Sequence, residues 1–366
     1  MKPEINIALA HDSFTQLGGS ERVFDCIHEL YPDAPVYTLV ADEKYQNLFG
    51  DWDLRTSFIQ HLYLVKKNLQ YWLIFIPLAL KFMKPQAKVV LSSSSSFIRN
   101  LNVDKNSIHV NYCHTPARFL WGEQEYAAQE LPKILKPLYP LLMKYLSWMQ
   151  KWDYAHAQKV THFIANSAEV QSRIKKYYNR DSVVIHPFVD VNFWKPTRSK
   201  QDYFLIAGRL HAHKNNEKIV EIFNELGWPL HVVGTGRQEE YLRSIAKPNI
   251  TFLGRVSDEV LRDEYSGAKG YIYPQFEDFG MMPLEAAACG TATLGLARGG
   301  SLETIEPGVS GELFSDVTKD SIKTYIQAWD HSKYNLQALQ NHANKFSKES
   351  FKRKLAEFMK PITEML

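Results

Sequence analysis

The feature that most limits how this chain can fold is an alternation of strand, loop and helix that runs through the first half and restarts near residue 203. INIALA (5–10) is a short apolar run of the buried-strand type. The polar loop HDSFTQLGG leads from it into SERVFDCIHEL, which has a helical apolar period and Ser20 as its expected N-cap. VYTLV (36–40), KVVLS (88–92), HVNYC (109–113) and HFIAN (162–166) read as further strands, each followed by a loop and a helical stretch. The second series is YFLIAGRL (203–210), LHVVG (230–234), ITFLG (250–254) and GYIYP (270–274). Strands alternating with helices predict parallel sheets covered on both faces, so the fold class is α/β. The polar segment NFWKPTRSKQD (192–202) is the expected linker between two domains.

Length agrees with that division, since 366 residues exceed one ordinary core at roughly 150 residues per domain. An apolar fraction of 45% with 23% charged residues is that of a globular chain and excludes disorder. The net charge of +3 gives no reason to expect nucleic acid as a partner. Cys26, Cys113 and Cys289 are odd in number, widely spaced and without a CxxC pair, which disfavours a disulfide framework or a zinc site and suits a reducing cytoplasm. MKPEINIALAHDSF has Glu4 ahead of its apolar run and no small-residue cleavage pattern, so it reads as a first strand rather than a signal peptide.

Ligands of parallel sheets gather at the carboxyl ends of the strands, where loops meet helix N-termini. Gly18-Gly19 is either an anion-approaching loop before the first helix or a plain flexible turn. In GRLHAHKN (208–215), Arg209 and Lys214 follow a strand, as a phosphate pair or as a solvated surface. VVGTGRQEEYL lacks the third glycine of a dinucleotide fingerprint, since residue 239 is glutamate, and reads as strand, turn and helix. FEDFGMMPLEAAACG (276–290) has Pro283 suited to the first turn of a helix and Gly290 to its stop. Glu285 then falls in that first turn and Glu277 in the preceding loop.

Glu277 and Glu285, with FG after the first and EAAACG beginning at the second, resemble the E-x7-E signature of the retaining glycosyltransferases of family GT4, which have the GT-B fold. GGSERV, FIANS (163–167), VIHPFVDVNFW (184–194), GRL with Lys214, and GGSLETIEPGVSGELF (299–314) follow in the family's order. FSKESFKRKLAEFM (346–359) is similar to its terminal helix, which crosses back onto the first domain. TAT (291–293) departs from the proline before valine found in many relatives. The resemblance implies two Rossmann-like, doubly wound domains facing a central cleft. Residues 1–195 are the acceptor-binding domain, completed by 346–366, and residues 196–345 are the donor-binding domain.

Roles follow from the same resemblance. Breaking a sugar–phosphate bond builds negative charge on the departing diphosphate, and Arg209 and Lys214 match the cations aimed at it. Backbone amides of Gly280, Met281 and Met282 add donors, and Gly18 and Gly19 belong to the donor-binding set. Glu285 is expected to accept from the ribose hydroxyls and Glu277 from the donor sugar, so neither is a nucleophile of the glycosidase kind. His114, in NYCHTPARFLW (111–121), matches a family histidine near the donor sugar, although a histidine at a strand end is often structural. HTPARFLW, HDSFTQLGGSERV and YPDAPVYTL (31–39) resemble bacterial mannosyltransferases that use GDP-mannose for O-antigen and exopolysaccharide assembly. UDP-sugar enzymes share the E-x7-E block, so a UDP donor is the alternative. No cofactor and no metal are expected. DWD (51–53) resembles a metal-binding DxD of another fold but lies outside these motifs and reads as a loop. No pyridoxal-phosphate lysine motif suggests a phosphorylase, and a non-catalytic nucleotide-sugar binder is the more distant alternative.

The expected partners are a nucleotide sugar, a lipid-linked or oligosaccharide acceptor, and an anionic membrane surface. Leu54 to Val103 contains no Asp or Glu but has Arg55, Lys66, Lys67, Lys81, Lys84, Lys88 and Arg99. Within it, YWLIFIPLAL (71–80) is too short to span a bilayer, which needs about 20 residues, and KILKPLYPLLMKYLSWMQKW (133–152) is a second basic, apolar stretch. Both read as a surface resting on anionic lipid at the cytoplasmic face of a membrane, or as core helices with snorkelling lysines.

Overall fold

The computed structural model describes residues 6–45, 50–62, 65–66, 69–122 and 139–364, without the side chains of 69–71. The chain divides into two compact units, Met1–Ile185 with Lys352–Leu366, and His186–Phe351.

The first unit is built on one sheet of seven strands: β1 (Ile7–Phe14), β2 (Val36–Ala41), β3 (Leu54–Thr56), β4 (Val89–Ser94), β5 (Ile108–Cys113), β6 (His162–Ala165) and β7 (Ser182–Val184). Their order is β3-β2-β1-β4-β5-β6-β7, and every pair is parallel. β2 and β4 are buried at every position, as strands covered by helices on both faces must be. β1 runs through His11–Phe14, which was expected to be loop, because His11, Ser13 and Phe14 pair with Thr38, Val40 and Ala41. The helix that follows spans Gly19–His28 and is capped by Gly18, not Ser20; the Gly18 amide donates to the Glu21 carboxylate at 2.7 Å.

The second unit holds β8 (Phe204–Ala207), β9 (Leu230–Val233), β10 (Ile250–Gly254), β11 (Gly270–Tyr273), β12 (Thr293–Leu296) and β13 (Gly311–Phe314), in the parallel order β10-β9-β8-β11-β12-β13. Ile206, Val232, Ile272 and Leu294 form its centre with Ile219 and Phe223 of the helix Asn216–Leu226. The units divide at Ile185/His186 rather than at residue 195, because residues past 186 are tied into the second unit. Val189 bridges to Ser347, the Trp194 amide donates to Asp190 O, and Trp194 is buried among Tyr203 and Tyr265. The helix Lys348–Glu364 passes from one unit to the other, with Lys352 onward belonging to the first. There Leu355 and Met359 are buried, spaced to share one helical face, and Lys352 pairs with Glu29 at 2.5 Å.

Candidate functional site

Each sheet reverses its direction of strand addition once, at β1/β4 in the first unit and at β8/β11 in the second. Loops leaving the carboxyl ends of such a pair turn opposite ways and leave a crevice. In the second unit these are the loops carrying Arg209, Lys214 and Glu277.

The β8 loop tightens into a helical turn at Ala212–Lys214 and is tied to the β11 loop by Asn215, whose amide donates to Pro274 O at 2.9 Å. This places the Lys214 ammonium on the Glu277 carboxylate. The Lys214 side chain is 4% exposed and that of Glu277 29%, so the carboxylate covers the ammonium and keeps one side toward solvent. Arg209 is exposed, with no ion-pair partner among the described residues, so the two cations have different surroundings. Glu277 is positioned through its backbone by GGSLE: it bridges to Gly299, and the Gly300 amide donates to Glu277 O at 3.0 Å. A Cβ on Gly300 would meet Phe279 O at 1.9 Å, which is why this approach requires glycine.

Gly280 turns the chain with φ +80° into the helix Met282–Ala288, which has Pro283 in its first turn and Gly290, φ +82°, just past its end. These assignments agree with the sequence. Glu285 is buried in the first turn, and burial together with its negative charge holds the Tyr271 phenol well above its usual range.

In the first unit the crevice is a pocket of about 170 Å³ lined by His11, Asp12, Gln16, Ser20, Glu21 and Ser95. Asp12 accepts four backbone amides, from Ser95 at 2.5 Å and from Ser96, Phe97 and Ile98 at 2.8 Å, and so fixes the loop after β4. Beside it a polar chain runs inward. Glu21 Oε1 lies 3.6 Å from His11 Nε2, His11 Nδ1 is 3.2 Å from Ser93 Oγ, and Ser93 Oγ is 2.8 Å from His114 Nε2. Burial, aided by His11, pulls His114 down to about 3, so its imidazole is neutral near pH 7. Burial alone would raise Glu21, but its hydrogen bond and charge interaction with His11, with backbone amides, outweigh this and lower it. Gly18 joins this group through Glu21, and Gly19 opens the helix. His11, Asp12 and Ser93 were not singled out in the sequence; the run SSSSS (92–96) on a buried strand was the available signal.

DWD is occupied locally: Asp53 accepts two bonds from Arg55, at 3.1 and 2.6 Å, and Trp52 stacks on His28 at 3.9 Å. Among the described residues no group of three or more His, Cys, Asp or Glu forms a metal-type cluster, and all three cysteines are buried and outside any disulfide.

The basic stretches divide. Arg99 is not at the surface: its side chain is 0% exposed and bonds Asp153 at 2.5 Å. Lys81, Lys84 and Lys88 are exposed, Lys66 pairs with Glu43, and Lys67 and 133–138 lie outside the described residues. The helix Tyr139–Ala157 meets the 71–80 stretch where the Tyr145 hydroxyl donates to Leu73 O at 3.2 Å. Ile74, Phe82, Leu141 and Trp148 in these segments are 49–66% exposed. No helix among the described residues is long and apolar enough to cross a membrane.

Comparison with known proteins adds a family match, two relatives and two solved structures. Residues 188–353 match the family model described as glycosyl transferases group 1. Over 125 residues the chain is 30% identical to a GDP-mannose-dependent alpha-mannosyltransferase of Corynebacterium glutamicum, covering 34% of this chain and 30% of that protein. Over 151 residues it is 28% identical to the O-antigen chain mannosyltransferase RfbU of Salmonella typhimurium, covering 37% and 42%. The chain thus matches less than half the length of either curated relative. The crystal structure of Anabaena Alr3699/HepE in complex with UDP superposes with a TM-score of 0.71 at 17% identity, over 98% of this chain and 100% of that one. The same protein in complex with UDP-glucose gives 0.69 at 18% identity, over 97% and 100%. The match to the glycosyl transferases group 1 model thus falls almost wholly within the second unit, and the chain has the GT-B fold.

Proposed function

We propose that the chain is a retaining hexosyltransferase that moves a sugar, mannose from GDP-mannose, onto a lipid-linked glycan in bacterial surface polysaccharide synthesis. The observation that carries this reading is the Lys214–Glu277 pair at the β8/β11 crevice, with the exposed Arg209 in the same loop as Lys214. Fixed cations at that place oppose the charge that grows on a departing nucleoside diphosphate. Arg209 and Lys214 take the diphosphate, and the amides of Gly280, Met281 and Met282 add donors at the start of the next helix. Glu277 orients the sugar hydroxyls, with Lys214 shared between carboxylate and phosphate, and Glu285 holds the ribose. On the first unit, neutral His114 hydrogen-bonds the sugar rather than supplying charge, and Gly18 and Gly19 belong to the donor set. No metal and no cofactor enter this scheme. The departing phosphate accepts the acceptor's proton in a front-face attack, which asks the protein for position and charge rather than a nucleophile.

Mannose is favoured by mannosyltransferases among the relatives, those of Corynebacterium glutamicum and Salmonella typhimurium included. A UDP-sugar donor is the second reading, favoured by the structures of HepE with UDP and UDP-glucose. The membrane partner rests on the exposed apolar side chains at 74–82 and 141–148 with Lys81 and Lys84. The deciding experiment is thermal stabilisation and slow donor hydrolysis across a panel of nucleotides and nucleotide sugars. Stabilisation by GDP and hydrolysis of GDP-mannose are expected; stabilisation by UDP alone replaces the donor, and none by any nucleotide refutes the enzyme.

A further inference from the structure

At the opposite edge of the second sheet lies a pocket of about 360 Å³ that the donor reading does not use. It is lined by Lys269 and Ala292, just ahead of β11 and β12, whereas Lys214 and Glu277 follow the ends of β8 and β11. Four-residue strands separate the two edges by roughly 13 Å at 3.3 Å per residue.

The charge of this pocket is one-sided. Arg198, Lys200, Lys269 and His331 line it, and none of its lining residues is acidic. Arg198 and Lys269 are already matched, by Glu264 at 2.9 Å and by Asp202. Lys200 has no carboxylate partner among the described residues; its ammonium donates to Thr291 Oγ1, which in turn donates to Tyr265 O. Lys200 is exposed as a residue, but its ammonium sits on the hydroxyl of the buried Thr291, and desolvation there draws it down to about 8. An ammonium held out of water without a counter-charge is stabilised by an anion that supplies one. Ser199 and Ser332 stand in the wall, and Tyr334 and Leu336 supply an apolar side. The volume falls within the usual range of small-molecule sites, about 300–1,000 Å³.

We propose that this pocket binds a small organic phosphate, its dianion held by Lys200 and His331 and its organic part set against Tyr334 and Leu336. A dianion matches two basic groups where a carboxylate matches one. Because the donor crevice also takes phosphate, the test must separate the two sites.

Calorimetric titration of the full chain with glucose 6-phosphate, and with glucose as the uncharged control, does so. Glucose 6-phosphate binds the wild type and Lys214→Ala alike, glucose binds neither, Lys200→Gln weakens binding about tenfold or more, and Lys200→Arg retains most of it. His331→Asn, at an exposed position, carries the same direction of loss should Lys200→Gln fail to fold. Absence of binding to the wild type, equal binding of glucose, or loss in Lys214→Ala with none in Lys200→Gln overturns the proposal.

Discussion

Replacing Asp153 by alanine tests whether the first unit depends on a buried charge being matched. Its carboxylate is 0% exposed and accepts from Arg99 Nη2 at 2.5 and 2.6 Å, Asn100 Nδ2 and Trp121 Nε1 at 2.7 Å, and the Tyr178 hydroxyl at 2.9 Å. Burial opposes the Arg99 charge, but Asp153 outweighs it and keeps the guanidinium ionised. Asp153→Ala therefore strands a cation in the core, a loss of about 3–5 kcal/mol. At roughly 2–4 °C per kcal/mol for a unit of this size, the transition of the first unit falls by about 6–20 °C. Calorimetry resolves this from the second unit, and urea titration followed by tryptophan fluorescence gives the free energy. Adding Arg99→Met removes the stranded charge, so the double variant recovers part of the loss. A loss under about 1 kcal/mol, or a double variant weaker than the sum of both singles, refutes the reasoning.

Lys214→Ala is expected to weaken nucleoside diphosphate binding about tenfold or more and turnover by about 10²–10³, with an unchanged circular dichroism spectrum; near-normal turnover refutes its role. His109 and His114 are both lowered to about 3 by burial, with ordinary values of 6.5. Between about pH 6.5 and 3 the unfolded chain binds protons that the folded chain does not, so stability is lost as the pH is lowered through that range, by about 1.4 kcal/mol per unit per histidine, and is level above it. Urea midpoints at pH 7.5, 6 and 5 check this, and His114→Gln should flatten the slope. Liposome flotation should show binding that requires anionic lipid and is lost when Leu141 and Trp148 become glutamate; binding indifferent to lipid charge refutes the surface.

The alternation of apolar runs and helical periods made both sheets legible, because parallel strands buried on two faces write themselves as continuous apolar stretches. β3 and β7 escaped notice because LRT and SVV are three-residue edges without such a run. β12 and β13, TLGL and GELF, are interrupted by glycine or glutamate. At the site, Pro283, Glu285 and Gly290 were readable from helix grammar, since their roles are local. The pairing of Lys214 with Glu277 was not, because it spans 63 residues and depends on which strands are neighbours. Arg99 shows the same limit: its basic surroundings in the sequence suggested a surface, while its partner Asp153 lies 54 residues on.

The passage of the terminal helix into the first unit also sets an order of events during synthesis. On the ribosome, Met1–Ile185 emerges first yet lacks Lys352–Leu366 until the whole second unit has been translated. At about 5–20 residues per second that interval lasts roughly ten seconds or more. The surface awaiting Leu355 and Met359 stays uncovered for that time, so the earlier-made half is the later one to be finished and the one most in need of a chaperone.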